Sequence, residues 1–279
     1  MMDIENDPVA LLPPLRDVIA AHDLAARKSL GQNFLLDLNL TRKIARAAKP
    51  FAAPTVIEIG PGPGGLTRAL LLEGAEKVIA VERDERCLAA LQDLQQAAGK
   101  RLTLHPGDAL ETAPADLAPP PWAIVANLPY NIATPLILGW LLAPVPPRRI
   151  TVLVQKEVAE RLAAKPGSDA YGRLSVIAGW CAEVRMLFDI GPKAFVPAPK
   201  VTSTVVELVP RDKPLAEAET AKLERITAAA FGQRRKMLRA ALKSLWPDAE
   251  AKLQSLGIEP TRRAETLSIE EFCALARLL

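Results

Sequence analysis

The sequence predicts an α/β protein, built on a parallel, doubly wound sheet and completed by a smaller all-helical region. Three observations carry that prediction. Strand-like apolar runs at 55–59, 77–81, 101–104, 122–126 and 149–155 alternate with helical patterns such as 66–73 and 85–97, as strand–helix–strand crossovers require. A glycine-rich loop, Gly60-Pro61-Gly62-Pro63-Gly64-Gly65, follows the first run and opens a helix. Beyond Arg211-Asp212-Lys213-Pro214 everything reads as helix, with turns at Gly232, Pro247 and 257–260, so a domain boundary is expected there. A chain of 279 residues has room for one large domain and a small one.

In chain order, the first thirty residues read as an extension with a short helix. Pro13-Pro14 open it, and Leu15, Val18 and Ile19 form its apolar stripe. A basic segment follows, Arg27-Lys28-Ser29-Leu30-Gly31-Gln32-Asn33-Phe34-Leu35, and Asp37 then has the character of an N-cap for a helix running to about Ala48. After the five strands of the alternating block, 183–189 and 201–209 are also strand-like. The Pro-rich loop between them, 191–200, is too short for a helical crossover, which implies an antiparallel pair at the end of the sheet. The expected domains are an extension over 1–25, the sheet domain over 26–211 and a helical domain over 212–279. No internal repeat or low-complexity tract interrupts them.

The chemistry concentrates at strand ends. Gly60, Gly62 and Gly65 satisfy G-x-G-x-x-G, a tight turn whose backbone can approach a nucleotide closely. Nicotinamide, flavin and methyl-donor enzymes all use such loops. Glu82 ends the second strand, where a carboxylate accepts from both ribose hydroxyls of NAD or S-adenosylmethionine. Asp108 follows the third strand in Gly107-Asp108-Ala109. There it either binds the amino group of a cofactor adenine or simply caps a turn. Separate carboxylates for ribose and adenine favour S-adenosylmethionine over a dinucleotide.

Asn127-Leu128-Pro129-Tyr130 ends the fourth strand, where open α/β sheets bind ligands. The exocyclic amine of adenine is a poor nucleophile, because its lone pair is delocalised into the ring. Alkylating it requires an unstacked base and acceptors for both amine hydrogens, so that the lone pair turns outward. The Asn127 side-chain oxygen and the Leu128 carbonyl suit that task, and the Tyr130 ring suits stacking. The plainer reading is a strand-ending turn with Tyr130 in the core.

Bulk properties narrow the field. With 35 Lys and Arg against 32 Asp and Glu the net charge is only +3, so any nucleic-acid surface must be local. Cys87, Cys181 and Cys273 are odd in number and far apart, which suggests a reducing compartment. His22 and His105 lack partners at ligand spacing, so no metal site is expected. The longest apolar stretch, 132–145, contains two prolines and is too short to cross a bilayer easily. Asp3, Glu5 and Asp7 argue against a secretory or mitochondrial leader, and a cytoplasmic location is expected.

With these residues in hand, the chain closely resembles the KsgA-type (RsmA) ribosomal RNA small-subunit adenine N(6),N(6)-dimethyltransferases from about Lys28 onward. The resemblance rests on the ordered motifs Ser29-Leu30-Gly31-Gln32-Asn33-Phe34-Leu35, Glu58-Ile59-Gly60-Pro61-Gly62-Pro63-Gly64, Glu82, Gly107-Asp108-Ala109 and Asn127-Leu128-Pro129-Tyr130. Downstream it includes Tyr171-Gly172-Arg173-Leu174-Ser175-Val176, Phe195-Val196-Pro197-Ala198-Pro199-Lys200-Val201 and Phe231-Gly232-Gln233-Arg234-Arg235-Lys236. Met237 stands where the family pattern leads one to expect a small polar residue, and the stretch before about Ala25 has no assignable counterpart. The resemblance implies a Rossmann-like class I S-adenosylmethionine methyltransferase fold with a small helical domain. It implies S-adenosylmethionine as donor, S-adenosylhomocysteine as product and no metal. Its cofactor set maps onto Asn33, Leu35, Gly60, Gly62, Glu82, Asp108, Ala109 and Asn127. The implied reaction is dimethylation of two adjacent adenosines in a hairpin near the 3′ end of small-subunit rRNA, with a role in late subunit biogenesis.

In that setting the target base is expected between Tyr130 and Phe195, with Asn127, Leu128 and Pro129 completing the catalytic set. Stacking offsets lost base stacking at roughly 1–3 kcal/mol per base. Arg235, Arg239 and Lys243 are four apart and predict one basic helix face, opposite Leu238, Ala241 and Leu245. Together with Arg234 and Lys236 they are read as phosphate contacts, with Arg27, Lys28 and Arg173 as further candidates. The partner is then the small ribosomal subunit, no membrane is involved, and a monomer is expected. A DNA adenine methyltransferase would usually carry an insert that reads the duplex. A NAD-dependent oxidoreductase leaves Asn127–Tyr130 unexplained. A non-enzymatic assembly factor is compatible with the same surface.

Overall fold

The computed structural model describes residues 6–27 and 30–279, and packing divides the chain into two compact units. The first holds residues up to 156 together with 186–209, and the second holds 157–185 and 210–279. This division differs from a single boundary at 211, because two helices of the middle chain group with the C-terminal ones.

The first unit opens with α1 (Leu15–Ala21), β1 (Phe34–Leu35) and α2 (Leu38–Ala47). Asp37 caps α2 as expected, its carboxylate accepting from Asn39 N–H at 2.8 Å. There follow β2 (Thr55–Ile59), α3 (Gly65–Leu72), β3 (Lys77–Glu82), α4 (Glu85–Ala90), α5 (Gln92–Ala98), β4 (Leu102–Pro106), α6 (Pro114–Leu117), β5 (Trp122–Asn127), α7 (Ala133–Leu141) and β6 (Arg149–Gln155). Asp84, capping α4 at Arg86 N–H, and a break at Leu91 turn the single helix expected over 85–97 into two.

The sheet runs in the order β4-β3-β2-β5-β6-β9-β7, where β7 is Ala182–Ile190 and β9 is Ser203–Pro210. The first five strands are parallel, and β9 is antiparallel to β6, with Ile150 opposite Leu208 and Gln155 opposite Ser203. All residues of β2 and nearly all of β5 are buried, as expected of strands covered on both faces. Between β7 and β9 lies a short strand, β8 (Phe195–Val196), which pairs antiparallel with β1. The strand order reverses between β2 and β5, so the loops after β2, β3, β4 and β5 converge at the carboxyl edge, where such sheets bind ligands.

The second unit contains α8 (Lys156–Ala163) apart from its first residue, α9 (Arg173–Cys181), the first four residues of β7, and α10 (Thr220–Gly232), α11 (Leu238–Ala241), α12 (Ala249–Ser255) and α13 (Ile269–Arg277). Its core is aromatic at the centre. Tyr171 meets Phe231 edge-on at 6.0 Å between centroids, and Phe231 lies 5.5 Å from Phe272. Two of the downstream motifs therefore supply packing here. Ser268 caps α13 through a reciprocal pair with Glu271. Cys87, Cys181 and Cys273 are all buried and unpaired. Among the described residues, no helix is long and apolar enough to cross a membrane, and no cluster of His, Cys, Asp or Glu is arranged to hold a metal ion.

Candidate cofactor and target-base cleft

One cleft at the carboxyl edge of the first unit gathers the expected cofactor residues and the Asn127–Tyr130 motif. Its walls include Asn33, Leu35, Gly60, Gly62, Glu82, Asp108, Ala109, Asn127, Leu128, Pro129 and Tyr130.

The glycine loop forms the floor. Gly62 has φ near 55°, and a Cβ there would stand 3.1 Å from the Phe34 ring. A side chain is excluded on both counts. A Cβ on Gly65 would lie 2.9 Å from the Leu35 carbonyl, so the start of α3 needs glycine to let β1 pass. Both glycines also line the cleft, which meets bare backbone along this edge.

Glu82 is buried, and three backbone N–H groups fix its carboxylate. Gly62 donates to Oε2 at 3.0 Å, while Arg83 and Asp84 donate to Oε1 at 2.9 and 2.8 Å. Burial pushes its pKa up, and the three N–H bonds oppose that rise. Two oxygens offer about four lone-pair directions, so a further donor such as a ribose hydroxyl can still be accepted. Asp108 caps the turn after β4 and also faces the cleft. Its Oδ1 accepts from Leu110 N–H at 3.0 Å and shapes the turn, and its Oδ2 accepts from Arg83 at 2.9 Å while the residue lines the cleft.

Asn127 is held by an amide hydrogen bond from its Nδ2 to the Asn33 carbonyl at 3.2 Å. Using the amide nitrogen this way leaves its oxygen as an acceptor at the cleft. The Leu128 side chain is buried, and its N–H donates to the Leu153 carbonyl at 3.2 Å, which pins the backbone at the end of β5. The Tyr130 hydroxyl shares a 2.8 Å hydrogen bond with Ser203 Oγ. Burial raises the Tyr130 pKa, so its phenol stays neutral.

Four residues that sequence reasoning does not single out belong to this neighbourhood: Ser203, which orients Tyr130; Gln32; Arg83; and Glu58. In the sequence Glu58 is only the first residue of the glycine-loop motif. It is 1 % exposed, and its Oε2 has no hydrogen-bond partner. Burial pushes its pKa up to about 8; the nearby Glu82 charge adds to the rise, and the Thr67 hydroxyl opposes it. The apolar run of β2 could have flagged Glu58 as the one acid in a strand otherwise built for burial.

Phe195 is a correction. It is 3 % exposed, lies opposite Leu35 in the β1–β8 pair and packs into the sheet core, and it is not part of the cleft wall. Stacking on a base would first require it to leave that core.

The basic residues also differ from expectation. Arg234, Arg235 and Lys236 lie in a turn after α10, Arg239 sits in the four-residue α11, and Lys243 lies in a 3-10 turn, so no single helix face carries them. Gln233 ends α10 with a Lys236 N–H to Gln233 carbonyl turn that breaks the phase. All five side chains are exposed. Arg234 donates to the Asp169 carbonyl, Arg239 lies 3.8 Å from Glu250, and Arg173 lies 3.4 Å from Glu224. Leu238 and Ala241 are buried as expected, and Leu245 only partly. Lys28 and Ser29 lie outside the described residues, as do Asp3 and Glu5.

Comparison with known proteins points one way. A family model described as Ribosomal RNA adenine dimethylase matches residues 24–279. A Ribosomal RNA small subunit methyltransferase A of Dinoroseobacter shibae is 58% identical over 269 residues, covering 95% of this chain and 96% of that protein. Its counterpart in Rhodospirillum rubrum is 59% identical over 266 residues, covering 95% and 92%. Among solved structures, a dimethyladenosine transferase from Plasmodium falciparum superposes with a TM-score of 0.74 at 26% identity, over 86% of this chain and 94% of that one. The 23S rRNA methyltransferase ErmE gives 0.69 at 27% identity, over 88% and 98%.

Proposed function

Since the chain belongs to the ribosomal RNA adenine dimethylase family, we propose that it dimethylates the exocyclic amines of two adjacent adenosines in a hairpin near the 3′ end of small-subunit rRNA. The observation that carries this reading is the joint placement of Asn127, Leu128 and Tyr130 with Glu82 and Asp108 around one cleft. The cleft fits S-adenosylmethionine by its donor and acceptor set: a glycine cradle closed to side chains, a backbone-fixed Glu82 for the ribose and Asp108 for the adenine. When bound, S-adenosylmethionine supplies an electrophilic methyl group on a sulfonium, which needs no metal to activate it.

The chain's own residues do the rest. Asn127 Oδ1 and the Leu128 carbonyl take the two amine hydrogens and turn the nitrogen lone pair outward. Tyr130, held by Ser203, offers its ring to the base. Aligning the partners and excluding water supply most of the rate. A strong base is unnecessary, because the amine becomes acidic as it gains positive charge. The exposed cations Arg234, Arg235, Lys236, Arg239, Lys243 and Arg173 are the RNA-contacting set. Work on the small ribosomal subunit would place the protein, as a monomer, in the cytoplasm with a part in late subunit maturation.

The test is methyl transfer from labelled S-adenosylmethionine to small subunits that lack the modification, with duplex DNA in parallel. Dimethyladenosine on the subunits alone is the expected result. Label on DNA alone overturns the rRNA reading. Label on neither, with the donor still bound, favours the assembly-factor role.

A further inference from the structure

The N-terminal segment, most of it ahead of the residues that the family model matches, makes an ordered set of contacts that the cleft alone does not explain. Each contact reaches a different strand–helix unit of the cofactor half.

The first is at Arg101, just before β4, whose far end leads to Asp108. Its guanidinium forms a paired bridge to Asp7, at 2.8 and 2.9 Å. Such fork-to-fork pairs fix geometry as well as charge.

The second is at Arg68 on α3, the helix opened by the glycine loop. Arg68 is 9 % exposed and donates to three strap carbonyls, Ala10 at 3.0 Å, Leu12 at 2.6 Å and Pro13 at 2.7 Å. Beside it Val9 is fully buried in the sheet core, and a Leu15 methyl lies 3.0 Å from where a Cβ on Gly65 would be.

The third is at Arg86 on α4, which follows Glu82. Arg86 donates to the Ala25 carbonyl at 3.2 Å and grips Asp84 at 2.7 Å, while Leu24 packs on Cys87 and Ala90. From there the bonds run into the cleft. Asp84 N–H holds Glu82 Oε1 at 2.8 Å, and Asp84 Oδ2 accepts from Gln32, a cleft residue, at 3.0 Å.

We propose that residues 7–25 form a strap that sets the mutual position of the three cofactor-bearing strand–helix units, with Arg68, Arg86 and Arg101 as positioning residues. The glycine loop, Glu82 and Asp108 each sit at the free end of one unit, and the strap ties those units together from outside the cleft. The proposal rests on the cleft being the S-adenosylmethionine site. The segment also lies against the start of α2 through Leu12, Pro14 and Leu15, but its bonds to arginine side chains fall on three consecutive units, and they are the three that the cofactor would span.

The test compares full-length Asp7→Asn and Arg68→Met with the unaltered protein, at a temperature where circular dichroism shows all three folded. Binding of S-adenosylmethionine is read by calorimetry, and kcat is read at saturating donor. The strap predicts a Kd raised about fivefold or more in each variant, with kcat within about twofold. By the reciprocity of linkage, donor binding must also slow amide exchange over 7–25, which it does not touch. Should Arg68→Met fail to fold, Asp7→Asn and the exchange measurement on the unaltered chain still decide. A lowered Tm with unchanged Kd, or no slowing of exchange over 7–25, overturns the strap as a positioning element. Absence of donor binding by the unaltered protein would remove the cofactor reading itself, and the strap proposal with it.

Discussion

At the scale of single residues, the cleft divides into groups that bind and groups that orient. Asn127 should separate them. Asn127→Ala removes the bond to Asn33 and the acceptor proposed for the target amine, so methyl transfer is expected to fall by roughly 10²-fold or more. Filter binding to small subunits should stay within a few-fold of normal; its loss would tie docking to the catalytic amide. Glu58 makes a different prediction. Its pKa is raised from 4.5 to about 8 by burial. Between those values the unfolded chain is ionised there while the folded one holds its proton, so stability falls as pH rises from about 4.5 to about 8. The effect is worth a few kcal/mol, at about 1.4 kcal/mol for each tenfold change in proton affinity. Glu58→Gln should flatten that slope in urea titrations at pH 5, 6.5 and 8; an unchanged slope would show that Glu58 is not the group responsible. Asn127, Glu82 and Asp108 are legible in the sequence because polar residues ending apolar strands have little reason to be there except a ligand or a turn. Phe195 is not, because its burial depends on β8 pairing with β1, about 160 residues away, and no local pattern encodes that partner.

At the scale of elements, strands are more legible than helix ends. Every expected strand of the alternating block falls within a residue or two of an observed one, since period-two burial and apolar runs are strong local signals. The break expected at Gly232 is where α10 ends, but its run on through Lys236 and the split of α4 from α5 escape the sequence pattern, because a turn costs little and leaves hydrophobic spacing almost intact. That break matters for the RNA surface. Arg235 and Lys236 project from a turn, free of the fixed four-residue spacing of a helix. Arg235→Ala with Lys236→Ala should weaken subunit binding across sequences and lower the slope of log affinity against log salt by roughly 1.5, at about 0.7–0.9 for each phosphate no longer neutralised. A slope that stays the same would return the pair to the status of a solvated turn.

At the scale of the whole chain, the sequence pattern indicates two parts but places the division at a single point. Packing instead gathers α8, α9 and the start of β7 with the C-terminal helices. A chain that leaves the first unit, returns to it and leaves again is invisible to a pattern with one linker. The three cysteines sample both units. Cys87 lies under Leu24 in the first, and Cys181 and Cys273 are in the second. Burial pushes the Cys87 thiol up to about 12 and the other two up to about 11, so scarcely any thiolate exists at neutral pH, and only thiolate attacks an alkylating reagent. Each sulfur is therefore a silent clock. Its rate of alkylation counts how often its own surroundings come apart, and peptide mapping of the three adducts would time the peeling of the N-terminal segment separately from the loosening of the helical unit.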